Sequence, residues 1–320
     1  MDYTSLGKTG LKVSVAGLGC GGSSRLGKSQ GRPKEDSIAL IRRAFELGVN
    51  FFDTAEGYGT EEIVGEAIGP LARDEVVIST KSGIRRDGDL ISGDQVVESL
   101  EASLRRLQLD HVDVFHLHGV PPSAYEHVRN EMVPALLREK EKGKLRHLGV
   151  TETGPNDHRH LMLEKALEED CWEVAMFAFH MLNQNARQSV FPKTLDRGVG
   201  TLLMFVVRRI FSDPAYLRDS IAKLADKGLV PADIASADAP LGFLVHPGGA
   251  EDILDAAYRF ARHEPGAEVV LFGTGSVAHL ERNIASILKP ALPKADTDKL
   301  SEMFGTLEGV GLDLPVKAGG

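Results

Sequence analysis

The sequence predicts an α/β protein built as a (β/α)8 TIM barrel, with an N-terminal β-hairpin and extra helices near the C-terminus. Three observations support this fold. Eight short β-rich runs alternate with amphipathic helical patterns along the chain. Several of the runs are almost continuously hydrophobic, which is typical of parallel strands buried on both faces. Most successive strands begin roughly 26 to 37 residues apart, the length of one strand–helix unit.

The predicted strands span residues 15–19, 50–53, 76–80, 112–118, 147–151, 174–179, 200–204 and 268–272. The first helical pattern between them places Ile38, Ile41, Ala44 and Phe45 on one face and ends at Gly48. The long interval between the last two strands should hold a helix, a loop rich in Pro, Gly and Ala at 231–249, and another helix.

The two ends of the chain are expected to lie outside the barrel. Residues 2–3 and 12–14, around the turn sequence GKTG, predict a hairpin that covers the bottom of the barrel. Residues 309–320 have the composition of a tail. No linker or low-complexity segment divides the chain, so a single barrel domain over 1–320 is expected. A doubly wound sheet is the alternative, but the first strand is not followed by G-x-G-x-x-G.

Composition excludes several function classes. The chain is 42% hydrophobic and 26% charged, which is ordinary for a globular protein. Its net charge of −9 and pI of about 5.7, with no basic stripe, argue against a nucleic-acid partner. Cys20 and Cys171 have no metal-ligand spacing, so a reduced, cytoplasmic setting without a metal site is expected. Neither a secretory signal nor a transmembrane helix is expected.

Three consecutive predicted strands end in polar side chains that would meet at one rim. The second strand ends in Asp53 and is followed by Tyr58, the third runs into Lys81, and the fourth ends in His118. In a (β/α)8 barrel the active site lies at this end of the strands. Each residue alone has a structural explanation, such as capping or packing. Together they predict a functional cluster, because a buried Lys and Asp need one another to offset desolvation.

Such a cluster suits proton transfer to or from an oxygen. Tyrosine, with an ordinary pKa of ~10, is a poor acid or base at neutral pH. We expect the ammonium of Lys81 to stabilise the phenolate and lower the pKa of Tyr58. Asp53 would keep Lys81 charged and oriented, and His118 would orient a substrate oxygen.

Several segments closely resemble the aldo-keto reductases. They are FFDTAEGYG, ISTKSG, LEASLRRLQLDHVDVFHLH and GKLRHLGVTET, with MDYTSLGKTGLKVSVAGLGCGG near the start and FGTGSVAHLERNIAS near the end. The resemblance implies an NAD(P)-dependent oxidoreductase that transfers hydride between nicotinamide and a carbonyl or alcohol. It also implies a catalytic tetrad of Asp53, Tyr58, Lys81 and His118. His116 falls two residues too early for the family pattern.

The residues expected to hold the nicotinamide depart from the family pattern. The Ser-Asn pair that usually binds the carboxamide is Thr151-Glu152 here, and a glutamine of strand six corresponds to Phe177. The position that commonly stacks an aromatic ring on the nicotinamide corresponds to Met204. Phe205, the next residue, is the alternative for that role.

The resemblance implies further cofactor contacts and leaves the choice of cofactor open. The family often has basic residues where Gly273 and His279 fall, and Arg282 either supplies charge nearby or is a solvated helix residue. NADP(H) nevertheless remains the preferred cofactor, and NAD(H) is the alternative. The implied contacts are Gly21, Gly22, Asp53, Thr151, Glu152, Met204, Phe205, Gly273, Thr274, Gly275, His279, Arg282 and Asn283.

The loops that would bind the substrate carry little signal. Leu26, Ile84, Val120 and the pair Arg208-Arg209 are candidates for contact with a sugar, a small aldehyde or ketone, or a pyridoxal-like carbonyl. The competing hypothesis is a nucleotide-binding regulatory or subunit-like protein with little turnover. Oligomeric state is not predicted.

Overall fold

The computed structural model describes residues 1–235 and 238–312 and contains a closed barrel of eight parallel strands. All eight predicted strands are present, and the (β/α)8 fold is confirmed. The strands, called first to eighth below, are Ala16–Gly19, Phe51–Asp53, Val77–Gly83, Val112–Val120, Leu145–Glu152, Val174–Ala178, Gly200–Met204 and Val269–Phe272.

The predicted N-terminal hairpin pairs Tyr3–Ser5 with Lys12–Ser14 and closes the bottom of the barrel. Both carboxylate oxygens of Glu268, just before the eighth strand, accept the N–H of Gly7, at 3.0 and 2.9 Å. One of them also accepts the N–H of Thr201, at 2.9 Å. These contacts join the hairpin turn to two barrel strands.

The hydrophobic side chains form two layers, as expected for a barrel. A small cluster fills the interior and includes Leu6 from the hairpin together with Phe51, Val114 and Leu202 from three strands. A much larger cluster lies between the strands and the surrounding helices. This interior cluster packs the bottom of the barrel, and a cavity opens towards the carboxyl ends of the strands.

The helices surround the barrel, and the predicted extra helices are present. Ser92 and Gln95 form a capping box that begins the longest helix. The α-helices are Lys34–Glu46, Glu61–Ile68, Gly93–Leu107, Tyr125–His127, Val133–Glu141, Leu161–Ala166, Ala186–Ser189, Phe191–Arg197, Arg209–Ser212, Pro214–Asp226, Ala232–Ala235, Ile253–Arg262, Val277–Ile287 and Lys294–Phe304. A two-stranded ribbon, Arg85–Arg86 with Asp89–Leu90, was not predicted.

The segments predicted to be irregular are only partly so. Helix Ala232–Ala235 and a 3-10 turn at Gly242–Leu244 interrupt the predicted 231–249 loop, of which residues 236–237 lie outside the described residues. Of the predicted tail, 313–320 also lie outside them, while the N–H of Gly309 donates to Asn183. Within the described part of the chain, no helix has the length and apolar character needed to span a bilayer.

Candidate active site

The structure brings the four predicted catalytic side chains together at the carboxyl ends of strands two to four. The ammonium of Lys81 donates to Asp53 at 2.5 Å and to the carbonyl of Thr54 at 2.7 Å. It also lies 5.1 Å from the ring centroid of Tyr58. The hydroxyl of Tyr58 is 3.4 Å from Nε2 of His118. One phenol is therefore in contact with both a buried cation and an imidazole.

Gly21 makes room for the ring of Tyr58. A Cβ atom at position 21 would lie 2.4 Å from the nearest ring carbon, closer than non-bonded carbon atoms can approach. Gly21, in the GLGCGG run, must therefore be a glycine for the ring of Tyr58 to occupy its position. The sequence alone did not reveal this role.

Hydrogen bonds on both sides of Tyr58 hold the loop that carries it. The residues that form them were not predicted from the sequence. Glu56 accepts the N–H of Gly83 at 2.7 Å, which fixes the loop to the end of the third strand. Lys28, from the loop after the first strand, donates to the carbonyl of Gly59 at 2.9 Å. Both contacts flank Tyr58 and restrict the position of its ring.

Burial and one ion pair set the protonation states of the cluster. Burial is the largest single influence on Lys81 and opposes its charge, but the neighbouring groups, first among them the carboxylate of Asp53, together outweigh burial, so the pKa of Lys81 is raised. Burial, assisted by the charge of Lys81, lowers the pKa of His118 to about 3. The cluster therefore holds a charged amine and a neutral imidazole at physiological pH.

The predicted effect on Tyr58 is wrong in its net direction. The ammonium of Lys81 does act to lower the pKa of Tyr58, as expected. Burial acts in the opposite direction and is the larger cause, so the pKa of the phenol is raised. Tyr58 consequently carries its proton at neutral pH.

His116 lies in the barrel interior below the cluster. It pairs in register with Lys81, whereas His118 pairs with Gly83, two residues nearer the rim. His116 is fully buried, and Gly149 on the fifth strand leaves space for its ring. The choice of His118 over His116 agrees with this placement.

A cavity of about 660 Å³ opens beside the cluster, a size in the range of cofactor sites. Almost all the residues predicted to bind the cofactor line it, namely Gly21, Gly22, Asp53, Thr151, Glu152, Met204, Phe205, Gly273, Thr274, His279, Arg282 and Asn283. Gly275 is the exception. A Cβ atom there would lie 2.6 Å from Cα of Gly27, so Gly275 permits a close approach of two loops.

The lining residues fit a dinucleotide. Helix Val277–Ile287 begins without a side-chain cap at Ser276, which leaves N–H groups for an anion at its N-terminus. A Cβ atom added at Gly22 would meet nothing within 4 Å, so the backbone there is open to a ligand. Among the described residues, no hydrogen-bond partner is found for the buried hydroxyl of Thr153, which also lines the cavity.

The two residues of the Thr151-Glu152 pair make different contacts, Thr151 at the cavity and Glu152 in the outer layer. The hydroxyl oxygen of Thr151 accepts the N–H of Gly119 at 2.7 Å and keeps its own proton for donation. The side chain of Glu152 is fully buried and bonds Nδ1 of His160 at 2.6 Å and the N–H of Ala178 at 2.8 Å. The carboxylate is thus engaged in protein contacts, whereas the hydroxyl of Thr151 still has a proton to donate at the cavity.

His160 and its partners form a network that the sequence did not reveal. The second ring nitrogen of His160 is 3.0 Å from the amide oxygen of Asn185. Burial is the largest single influence and opposes protonation, but Glu152, Asn185 and Asp157 together outweigh it, so the pKa of His160 is raised. An acceptor on each nitrogen favours the protonated ring, and the contacts of Glu152 and His160 tie strand five to strand six and the following loops.

On strand six, the side chain that lines the cavity is Met176, not Phe177. Met176 pairs in register with Thr151, whereas Phe177 packs edge-on against His160 and Phe191. Assigning the glutamine position to Phe177 therefore placed it on the wrong face of the strand, because neighbouring residues point to opposite faces.

Met204 and Phe205 both line the cavity, in different ways. Met204 ends the seventh strand and packs against the interior cluster. Phe205 has a left-handed backbone (φ of 64°), and the guanidinium of Arg208 lies 4.3 Å from the centroid of its ring. The thioether of Met204 therefore borders the cavity on the side of the barrel interior, and the ring of Phe205 borders it at the rim.

Of the candidate substrate residues, only Arg208 lines this cavity. Leu26, Ile84 and Val120 are buried in the larger hydrophobic cluster, and Arg209 pairs with Asp213. Asn156 and Ser212 line the cavity without having been predicted. In the described part of the chain, no cluster of His, Cys, Asp and Glu is arranged to hold a metal ion.

A parallel barrel with an acid–base cluster and a large cavity at the carboxyl ends of its strands is the architecture of a barrel enzyme. The sequence model of the Aldo/keto reductase family matches residues 18–303. The chain therefore belongs to the aldo/keto reductase family, and this makes it an oxidoreductase.

Individual relatives agree with this assignment. The chain is 29% identical to L-galactose dehydrogenase of Arabidopsis thaliana over 320 residues, covering 97% of this chain and 95% of the relative. It is 26% identical to aldo-keto reductase YhdN of Bacillus subtilis, over 88% and 87% of the two chains. The holo form of an aldo-keto reductase from Bacillus halodurans has the same fold, with a TM-score of 0.74 at 20% identity, over 98% and 100% of the chains.

Proposed function

We propose that the protein is an NAD(P)(H)-dependent oxidoreductase that interconverts a carbonyl and an alcohol, with Tyr58 as the general acid and base. The observation that carries this proposal is the meeting of Tyr58, Lys81 and His118 beside the cavity. A structural ion pair would need neither a phenol against the ammonium nor an opening to a ligand cavity.

Each member of the cluster has a separate task. The nicotinamide, when bound, supplies or accepts the hydride. Tyr58, protonated by virtue of its burial, donates a proton to the carbonyl oxygen, and the charge of Lys81 stabilises the phenolate that remains. Asp53 holds the ammonium in place. Neutral His118 orients the substrate oxygen by a hydrogen bond.

For the cofactor, NADP(H) is the preferred proposal and NAD(H) the alternative. Arg282 and His279 line the cavity on the helix that follows the eighth strand, and both carry donors for a phosphate. Met204 and Phe205 are placed to cover the nicotinamide, and Thr151 to bind its carboxamide.

For the substrate, we propose a sugar or another hydroxylated carbonyl compound. Polar groups along the cavity, including the hydroxyl of Thr153 and the amide of Asn156, suit a ligand with several hydroxyls. The similarity to L-galactose dehydrogenase supports the same choice.

Turnover of wild type and Tyr58→Phe on a panel of aldoses and aldehydes, in both directions, tests the acid–base proposal. Loss of the phenol should lower kcat by about 10²- to 10⁴-fold while the cofactor Kd stays unchanged. Tyr3→Phe is the matched control, because it removes a surface phenol that donates to Gly48. Equal rates for Tyr58→Phe and wild type would refute the role of Tyr58.

A second candidate, a nucleotide-binding regulatory protein with little turnover, is favoured by one observation. The carboxylate of Glu152 is committed to His160 and Ala178, so the family's amide donor is missing beside the nicotinamide position. Tight cofactor binding without turnover across the panel would support this candidate.

A further inference from the structure

At the far end of the cavity, Arg282 already has an anionic partner. Its guanidinium forms an ion pair with the carboxylate of Asp252, which lies on a different helix. Arg282 is 57% exposed and lines the cavity. Asp252 is 37% exposed and is followed on its helix by Leu254 and Tyr258, which also line the cavity. The pair therefore stands at the cavity edge, in reach of a ligand.

The position of Asp252 is fixed by its own helix. Its Oδ1 atom accepts the N–H of Asp255 at 2.9 Å and so caps helix Ile253–Arg262. The other oxygen, Oδ2, is the one that meets Arg282. The carboxylate cannot leave when a ligand enters without giving up the cap, so its charge stays beside Arg282.

The neighbouring side chains do not replace Arg282. Gly273, where the family often has a basic residue, contributes no charge. Glu281, next to Arg282 in the chain, is paired with Arg43. His279 lines the cavity one turn earlier on the same helix. An anion bound at Arg282 would therefore lie next to the fixed carboxylate of Asp252.

We propose that Asp252 is a specificity-determining residue that limits the preference for NADP(H) over NAD(H). This inference rests on the proposed function, in which Arg282 offers donors for a cofactor phosphate, and it takes that phosphate to be the 2′-phosphate of NADP(H). A 2′-phosphate must draw Arg282 away from Asp252 and approach that carboxylate, whereas a 2′-hydroxyl leaves the pair intact. Exposed ion pairs contribute about 1 kcal/mol or less, a factor of about five in Kd. A 2′-phosphate can therefore replace Asp252 as the partner of Arg282. NADP(H) binding then loses the free energy of the ion pair, which NAD(H) binding retains.

The test is fluorescence titration of wild type and variants with NADPH and with NADH. Asp252→Asn removes the charge and retains the helix cap, because Asn caps as well as Asp. It should tighten NADPH binding roughly threefold or more and change NADH binding by less than twofold. Arg282→Gln should weaken NADPH and leave NADH nearly unchanged. Asp298→Asn, which removes an exposed carboxylate paired with Lys294 away from the cavity, should change neither.

Two different failures can be told apart. If both cofactors bind but Asp252→Asn leaves the ratio of their Kd values unchanged, Asp252 does not determine specificity and the inference is overturned alone. The same conclusion follows if Arg282→Gln has no effect on NADPH. If neither cofactor binds to any variant, including wild type, the proposed function falls together with the inference. Thermal unfolding of each variant establishes that the fold is retained.

Discussion

Replacing Gly21 by alanine should slow the chemical step while the barrel stays folded. An added Cβ would lie 2.4, 2.6 and 2.7 Å from three carbons of the Tyr58 ring. The backbone of Gly21 is not among the left-handed positions, so alanine meets no conformational penalty there. The whole effect of the substitution should therefore come from contact with the phenol.

The size of the effect follows from the distance by which the ring must move. Ordinary contact begins at 3.4 Å, so the ring or the Gly21 backbone must retreat by about 1 Å. On its other sides Tyr58 faces the ammonium of Lys81 and the imidazole of His118. A misplacement of about 1 Å in a reacting group costs on the order of 10²-fold in rate, or about 2.7 kcal/mol in the barrier.

The assay compares kcat for a carbonyl substrate, cofactor Kd and thermal unfolding in wild type, Gly21→Ala and Gly57→Ala. Gly57 lies in the Tyr58 loop, and a Cβ there would meet nothing within 4 Å, so this control should keep wild-type kcat. Adding Gly21→Ala to Tyr58→Phe should cost little further rate, because the two changes act through one group. Wild-type kcat in Gly21→Ala would refute the reasoning, as would equal losses in the two alanine variants.

Two further predictions concern pH. Since burial raises the pKa of Tyr58, the rate of reduction should persist through neutral pH and decline under alkaline conditions. The rate of oxidation needs the phenolate and should therefore increase with pH. Profiles of kcat/KM against pH in both directions check this, and an acidic optimum for oxidation would contradict it. Burial also raises the pKa of Glu268 to about 7 from 4.5. The folded chain then holds this proton more tightly than the unfolded chain, so the stability that Glu268 contributes is present below pH ~4.5 and is lost as pH rises through about 7. Urea unfolding at pH 5 and 8 should show a decline on the order of 2–3 kcal/mol from this group, and Glu268→Gln should show a smaller decline. Identical pH dependence in both proteins would exclude this role for Glu268.

The barrel and the meeting of Asp53, Tyr58, Lys81 and His118 at one rim could be predicted because both depend on short-range pattern. Buried parallel strands are continuous apolar runs, and Asp53, Lys81 and His118 each stand in or next to such a run. Parallel topology then brings strand ends together regardless of the sequence between them. Tyr58 follows Asp53 by only five residues, so its loop had little freedom to carry it elsewhere.

The remaining features of the site depend on contacts between distant segments. Asp252 and Arg282 are separated by a helix, a strand and a loop, and Glu152 is linked to Asn185 through His160. Which residues of a strand point towards the cavity is another source of error. Met176 and Phe177 are both apolar, so no alternation of polar and apolar residues showed which of them faces the cavity. Predicting the net direction of the pKa shift of Tyr58 requires knowing how deeply the phenol is buried, and no local sequence pattern gives that information.

Two buried ion pairs flank the cavity, and their partners separate their roles. A buried pair is weak evidence for stability, because desolvation offsets much of the attraction. Lys81, beyond its bond to Asp53, faces the ring of Tyr58, a group that gains a charge when it gives up its proton. Glu152 and His160 instead engage the N–H of Ala178 and the amide of Asn185. In the proposed mechanism the first pair therefore stabilises the charge that develops on Tyr58, whereas the second pair holds strands five and six together beside the cavity.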